Sequence, residues 1–331
     1  MRKTLLIAAG LLAAGSADAA EKIDFVLNWI AGGDHAPYYW AKKQGLYEKA
    51  GIQLEIEQGK GSAAAVQKVA AGQSQIGLAD LGTAMVAKGK GGDMVAVMNV
   101  YANSPFGMYW LKSSGIKGVK DFAGKKIGNP PGDAARAMWP ALAKANGVDP
   151  ASVTWVNVAP NAKLTALKAK QIDITTSFYN IHHIFKAELG DDMGFLAWKD
   201  AGLNQYGNSL LAYGPFLKDK KAVVANFVKV SQQAFAQCVK TPEPCVQALV
   251  EANGGLKFDN EMENWKLVTE LMSDEVSQTA GLGWMNDKRM AADYELVKTY
   301  FSIDKPFDVK SIYTNEFLDK SLKMAVVKRS S

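Results

Sequence analysis

Cysteine and histidine are scarce in this chain of 331 residues, which holds two cysteines and three histidines. Cys238 and Cys245 have no histidine near them in the sequence. His182 and His183 are adjacent on a predicted helix, where they cannot both face one ion. We therefore expect neither a metal site nor a cofactor. The chain also has no nucleophile-elbow pattern, so the sequence gives no support for nucleophilic catalysis.

Long apolar runs and strong charge of one sign are missing as well. Beyond the first twenty residues, no stretch approaches the ~18 apolar residues that a membrane span needs. The net charge is only +5, and the basic stretches, residues 125–126 and 218–221, are short and are not interleaved with aromatics as in a nucleic-acid site. The chain has no repeats or low-complexity stalk, which argues against an adhesion or structural protein. Its hydrophobic content, 48%, is enough to build a full core.

The start of the chain has the three parts of a secretory signal. Residues 1–3 carry charge, residues 5–15 are apolar, and residues 17–19 fit a small-x-small cleavage site. We expect a signal peptide over residues 1–19, with cleavage after Ala19 or after Ala20, and a periplasmic, monomeric mature protein of net charge +4. A buried N-terminal helix is the alternative. No cysteine follows the cleavage site, so no lipid anchor is expected there.

The two cysteines flank a turn. Pro242 and Pro244 lie between Cys238 and Cys245 and separate two helical runs, which can bring the sulfur atoms together. An even pair in an oxidising compartment predicts a disulfide, and two free buried thiols are the alternative.

A strand, a loop and a helix open the mature chain. Residues 23–27 form an apolar run, Gly32 and Gly33 interrupt it, and Pro37 occupies the first turn of a helix. The loop therefore lies at the carboxyl end of a strand, where ligands bind in open α/β sheets. The candidate ligand-binding residues here are Asn28, Trp29, His35 and Tyr38. Packing in the core is the alternative for each aromatic side chain.

The rest of the chain repeats a strand–helix rhythm. Further strands are predicted over residues 52–57, 76–80, 94–100, 126–128, 154–158, 172–178 and 194–198. Residues 106–111 are apolar and are expected to cross into a second unit. Helical spacing dominates from residue 215 onward. This order predicts an α/β fold with two doubly wound, mostly parallel sheets, two crossings and a helical C-terminal tail. We expect residues 20–105 and 207–331 to form lobe one and residues 106–206 to form lobe two, with a cleft between them.

More candidates follow the other predicted strands. They are Gly61, Ser62, Asp80, Thr83 and Ser104 in lobe one, and Gly132, Asp133, Tyr179, Asn180 and Tyr206 in lobe two. A helix cap is the alternative for Ser62 and for Asp133.

Several of these segments resemble one family. They are Asn28-Trp29, His35-Ala36-Pro37, Gly45-Leu46-Tyr47, Gly61-Ser62, residues 76–80 and residues 119–128. The pattern is similar to the nitrate/taurine and thiamine-pyrimidine group of periplasmic binding proteins, and it covers roughly residues 21–215. The resemblance implies a type II two-lobed binding protein that delivers a small molecule to the membrane permease of an ABC importer.

The same fold resembles an enzyme, the thiamine-pyrimidine synthase of fungi and plants. That family uses a lysine and a histidine near the third strand, together with a cysteine-rich iron motif. In this chain Ala79 and Thr83 stand at the first two positions, and no cysteine cluster is present. We therefore expect no catalysis.

Ligands of the resembled family include nitrate, taurine and other sulfonates, aromatic acids and aminopyrimidines. Asp133 places a carboxylate where an anion would lie, and like charges in a closed cleft are costly. A carboxylate suits an amino group, and Trp29 and Tyr38 suit stacking on a flat ring. We expect a planar heterocycle such as a thiamine pyrimidine precursor, with Trp29 and Asp133 facing each other across the cleft. An aromatic carboxylate, a sulfonate or nitrate is the alternative.

Overall fold

The computed structural model describes residues 20–327, so the predicted signal peptide over residues 1–19 lies outside the described residues. The strands are β1 Glu21–Val26, β2 Ile52–Glu57, β3 Ile76–Asp80, β4 Met94–Asn99, β5 Phe106–Leu111, β6 Lys126–Gly128, β7 Thr154–Val156, β8 Ile174–Phe178, β9 Met193–Ala197 and β10 Asn208–Tyr213.

The helices of the same range alternate with the strands at first and then follow one another. They are α1 Ala36–Lys43, α2 Leu46–Lys49, α3 Ser62–Ala70, α4 Leu81–Gly89, α5 Ala134–Ala145, α6 Lys163–Lys168, α7 His182–Leu189, α8 Gly214–Asp219, α9 Lys221–Lys240, α10 Pro242–Ala252, α11 Phe258–Met272, α12 Glu275–Thr279 and α13 Asp287–Tyr300. None of these helices is long and apolar enough to cross a bilayer.

The strands form two five-stranded sheets, ordered β2-β1-β3-β10-β4 and β7-β6-β8-β5-β9. The chain leaves the first sheet after β4, builds the second sheet, and returns with β10. The predicted α/β class, with two sheets, two crossings and a helical C-terminal tail, is confirmed. The division into lobes stays a prediction, and its expected boundaries fall between strands of different sheets.

Both sheets are mixed, which corrects the expectation of mostly parallel pairing. β1 is parallel to β2 and β3, whereas β10 is antiparallel to β3 and β4. The second sheet repeats this pattern, with β6 parallel to its neighbours and β5 antiparallel to β8 and β9. A strand that enters from the other sheet needs no helical crossover, so it can pair in the opposite direction. No strand was predicted at β10.

The first sheet packs one face against the C-terminal helices. Aromatic rings fill this interface, where Phe25 of β1 lies 5.4 Å from Phe227 of α9 between ring centroids. Trp265 of α11 is buried in the same core and donates a hydrogen bond to the Cys238 carbonyl. Cys238 and Cys245 are joined by a disulfide that ties α9 to α10, with 5.8 Å between their Cα atoms. The tail is therefore a structural part of the first unit.

Candidate ligand-binding site

A cavity of about 290 Å³ opens between the two sheets. This is near the lower end of the size range of small-molecule sites. The loop after β1 and the first residue of α3 line it from one side, and the N-terminus of α5, the segment before α6 and the turn after β8 line it from the other. Helix α11 closes one end. The cavity therefore lies where the sequence analysis expects a ligand site, at the carboxyl ends of strands.

Five of the residues selected from the sequence line this cavity. They are Asn28, Trp29, Ser62, Asp133 and Asn180. Each lies in a loop or at a helix N-terminus that follows a strand, and both sheets contribute.

His35 lies behind Asn28 and does not line the cavity. Its Nε2 lies 2.9 Å from Asn28 Oδ1, and its Nδ1 accepts a hydrogen bond from the Gly32 amide at 3.2 Å. Burial lowers the pKa of His35, although Asp34 opposes the shift. A neutral ring with its proton on Nε2 satisfies both contacts and fixes the Asn28 amide, and Asn28 lines the cavity. His35 is therefore a positioning residue.

Asp133 caps a helix and also faces the cavity. Its Oδ1 accepts a hydrogen bond from the Ala135 amide at 2.8 Å, as expected of an N-cap, while its Oδ2 lies 3.8 Å from Lys163 Nζ. The same ammonium lies 4.8 Å from the centroid of the Trp29 ring. Trp29 and Asp133 thus come together around Lys163, which the sequence analysis missed. Burial lowers the pKa of Lys163, and Asp133 partly offsets that shift.

Gly61 and Gly132 bring the N-termini of α3 and α5 into contact. The Ala63 amide donates to the Gly132 carbonyl at 3.0 Å, and a Cβ on Gly61 would lie 1.9 Å from that oxygen. Gly61 also has φ of +120°, a conformation that favours glycine. These glycines permit backbone approach next to the cavity. Helix α3 begins at Ser62 with Gly61 as its cap residue, so the alternative of Ser62 as the N-cap is wrong.

Asp80 and Thr83 form a buried layer behind Ser62. Asp80 caps α4, because its Oδ1 accepts from the amide and the hydroxyl of Thr83. Its own amide donates to Ser62 Oγ at 3.1 Å. Burial raises the pKa of Asp80 to about 6, because desolvation outweighs the hydrogen bonds from Thr83. Both residues support Ser62 and neither lines the cavity.

Tyr38 lies outside the cavity, which corrects the expectation that it stacks on a ligand. The side chain is fully buried, with ring centroids 4.9 Å from Phe25 and 5.2 Å from Phe235. The reason is the rotation of α1, which turns Tyr38 toward β1 and α9.

Three other predicted contacts also lie elsewhere. Ser104 is buried in the first crossing, where its amide donates to Asn204 Oδ1. Tyr179 packs its ring 5.1 Å from that of His182. The Tyr206 hydroxyl accepts from the Asn286 amide, far along the chain. These side chains follow strands, as the rule requires, but they point into neighbouring structure instead of the cavity.

The end of the cavity beside α11 is acidic, and sequence reasoning missed it. Glu261 Oε2 accepts from the Gly33 amide at 2.6 Å, and Glu261 Oε1 accepts from Asn260 Nδ2 at 2.8 Å. Asp34 Oδ2 accepts from the Tyr101 hydroxyl at 3.1 Å. Burial raises the pKa of Glu261, and the nearby Asp34 carboxylate adds to the shift.

The charged lining is therefore three carboxylates and one ammonium, namely Asp34, Asp133, Glu261 and Lys163. The remaining wall is largely apolar and includes Ile30, Phe178, Ile181, Ile184, Phe185 and Leu256. No group of three or more metal-ligating side chains occurs in the described part of the chain. The cavity can hold a small, partly apolar molecule that donates hydrogen bonds.

Comparison with known proteins begins with a family model described as NMT1/THI5 like, which matches residues 33–245. The chain is 24% identical over 304 residues to the 4-amino-5-hydroxymethyl-2-methylpyrimidine phosphate synthase of Legionella pneumophila, covering 90% of this chain and 92% of that protein. It is 20% identical over 262 residues to the formylaminopyrimidine-binding protein of Halalkalibacterium halodurans, covering 78% and 79% respectively.

Solved structures agree on the fold. The alkanesulfonate-binding protein SsuA from Xanthomonas axonopodis pv. citri bound to MOPS matches with a TM-score of 0.68 and 14% identity, covering 90% of this chain and all of that chain. At such identity the likeness concerns the fold alone. The family resemblance seen in the sequence is confirmed: the chain belongs to the NMT1/THI5-like family and has the fold of periplasmic binding proteins.

Proposed function

We propose that the protein is the solute-binding component of an ATP-driven importer, and that it captures a small planar heterocycle bearing an amino group, such as a thiamine pyrimidine precursor. The same proposal includes export to the periplasm through a cleaved signal peptide, a monomeric state, and delivery of the ligand to a membrane permease.

The charge balance of the cavity carries the ligand proposal. Asp34, Asp133 and Glu261 outnumber Lys163, and the Lys163 ammonium already donates to the Thr176 carbonyl at 2.7 Å and faces Asp133. A bound anion would therefore meet mainly repulsion in a closed site. An aromatic carboxylate, taurine or another sulfonate, or nitrate is disfavoured on this ground. The name of the Halalkalibacterium halodurans relative, a formylaminopyrimidine-binding protein, supports the same class of ligand.

A binding role is also favoured over a catalytic one. Ala79 is buried within β3, and Thr83 hydrogen-bonds to Asp80, so neither position offers a reactive group to the cavity. The similar solved structure reported above is named a binding protein, although one relative reported above is named a synthase. We propose that the ligand leaves unchanged, and a product formed in proportion to protein after long incubation would overturn this.

Calorimetry on the wild type and on Asp133→Asn tests the ligand class. Asparagine caps helices as well as aspartate does, so the change removes charge while keeping α5 capped. Binding of 4-amino-5-hydroxymethyl-2-methylpyrimidine should weaken roughly tenfold or more, because a charge-assisted hydrogen bond contributes ~1.5–3 kcal/mol. Benzoate and nitrate serve as anionic probes, and taurine, a zwitterion, tests a sulfonate joined to an ammonium group.

Asp149→Asn is the matched control, because Asp149 caps a short turn on the exposed surface through the Ala151 amide. It should leave binding unchanged. Tight binding of an anion by the wild type, tightened further in Asp133→Asn, would refute the heterocycle proposal and favour the anionic alternative.

A further inference from the structure

The acidic end of the cavity contains a small polar recess beside Gly32, which we call the Gly32 recess. A Cβ placed on Gly32 would lie 3.3 Å from Asn264 Nδ2, 3.4 Å from Asp34 Oδ1 and 3.6 Å from Glu261 Oε2. Asp34, Glu261 and Asn264 are only 5%, 4% and 3% exposed. The absence of a side chain on Gly32 therefore leaves a space bordered by buried polar atoms.

The carboxylates of the recess lack a cationic partner. Neither Asp34 nor Glu261 forms an ion pair with a lysine or arginine of residues 20–327. Asp34 Oδ1 lies 3.2 Å from His35 Nδ1, but that nitrogen accepts the Gly32 amide proton, so the neutral ring gives Asp34 no proton. Buried carboxylates are costly unless a donor or a cation compensates them.

A third acceptor lies on the cavity wall beside the recess. Asn180 is buried, its Nδ2 donates to Asn264 Oδ1 at 3.1 Å, and its own Oδ1 accepts no hydrogen bond from the described residues. Asn180 thus offers an open carbonyl oxygen beside the residues that form the recess. The two carboxylates accept from the Gly33 amide, Asn260 Nδ2, Asn264 Nδ2 and the Tyr101 hydroxyl. Their remaining lone pairs and the Asn180 oxygen face no lysine or arginine partner within residues 20–327.

We propose that the Gly32 recess is the subsite for the exocyclic amino group of an amidine-type ring in the ligand, and that Glu261 selects amino-substituted over oxo-substituted rings. This proposal rests on the proposed function and specifies its ligand class further. The amino group donates hydrogen bonds to the carboxylates of Glu261 and Asp34, and the hydroxymethyl group is the donor left for Asp133. An oxo group in place of the amino group would turn lone pairs toward Glu261 and Asp34. Sites built to receive a donor reject analogues that lack it far more strongly than apolar pockets reject a missing methylene.

Two substitutions test the recess in different ways. Glu261→Gln removes the charge at nearly constant shape. Gly32→Ala fills the recess with a methyl group, and the extended backbone of Gly32, at φ −157°, tolerates a side chain. Glu263→Gln is the matched control, because Glu263 lies on the same helix with its side chain 58% exposed. Urea midpoints of the variants establish that each one is folded.

Calorimetry then compares three probes: 4-amino-5-hydroxymethyl-2-methylpyrimidine, its 4-oxo counterpart and benzamidinium. The wild type should prefer the amino ring to the oxo ring by at least a hundredfold. Glu261→Gln should reduce that ratio tenfold or more, Gly32→Ala should weaken the amino ring tenfold or more, and Glu263→Gln should change neither.

The outcomes separate this proposal from the proposed function. Suppose that the wild type binds the amino ring, that Glu261→Gln leaves the amino-to-oxo affinity ratio unchanged, and that Gly32→Ala leaves the affinity for the amino ring unchanged. This result overturns the subsite alone. Glu261-dependent binding of benzamidinium without binding of the amino ring supports the subsite and overturns the proposed ligand. A wild type that binds none of the three probes overturns both.

Discussion

Replacing Lys163 with methionine removes the ammonium that lies between Asp133 and Trp29. The side chain is only 4% exposed, and its Nζ donates to the Thr176 carbonyl at 2.7 Å and lies 3.8 Å from Asp133 Oδ2. Methionine fills a similar volume without the charge. The substitution therefore isolates the electrostatic contribution of Lys163 from its packing.

The expected cost follows from what is left behind. Asp133 would stay buried without its counter-charge, and the Thr176 carbonyl would lose a donor. Removing one partner of a buried ion pair costs about 3–5 kcal/mol, whereas replacing both partners is often close to neutral. The double variant Lys163→Met with Asp133→Asn should therefore be more stable than Lys163→Met alone. Coupling between residues in such contact lies in the range of about 0.5–3 kcal/mol.

Urea unfolding at pH 7 measures both effects. Lys168→Met is the matched control, because Lys168 lies on the same helix α6 and pairs with Glu188 at 49% exposure of each side chain. Exposed pairs contribute at most about 1 kcal/mol. A free energy of unfolding reduced no more by Lys163→Met than by Lys168→Met would refute the reasoning. So would a double variant that costs the full sum of the two single changes.

Two further predictions concern the disulfide and two buried acids. Denatured, unreduced protein should show no reactive thiol, and reduction of Cys238–Cys245 should lower the free energy of unfolding by at most ~3 kcal/mol, because the closed loop is short. Burial raises the pKa of Asp80 to about 6 and that of Asp293 to about 7. The native state then keeps protons that the unfolded chain loses near pH 4, so stability should fall as the pH rises from about 4 to 7. Melting temperatures across that range should fall less in Asp80→Asn and in Asp293→Asn.

Much of the fold could be predicted because its first part is built from local signals. β2 alternates apolar and polar residues, and β3 ends at Asp80, which caps the next helix. The observed bounds of these strands equal the predicted ones. β10 was missed because its apolar part, residues 210–213, is short and runs directly into the helical segment that follows, so periodicity does not separate strand from helix there. Its pairing partners lie more than a hundred positions earlier in the chain.

Residues of the candidate site could be predicted where they directly follow the end of a strand. Asn28, Ser62 and Asn180 follow strands and do line the cavity. Tyr38 fails because a helix position is ambiguous until its partner is known, and that partner, Phe235, lies almost two hundred residues away. Lys163 obeys the strand-end rule, since it follows β7 and the loop after it, so applying the rule to that strand would have found it.

Glu261 follows no strand, and only the meeting of two distant segments brings it to the cavity. Helix α11 can approach the first loop because Gly33 has no side chain. A Cβ at that position would lie 2.5 Å from the Glu261 carbonyl oxygen. Sequence reasoning takes the Gly32–Gly33 pair as a break after a strand, and a break needs no particular partner. In the folded chain, the absence of a side chain on Gly33 makes room for helix α11. The absence of a side chain on Gly32 leaves the recess next to that helix. The Gly32–Gly33 pair can be recognised from the sequence as a position without side chains. Which segment packs against it depends on how the chain returns after the second sheet.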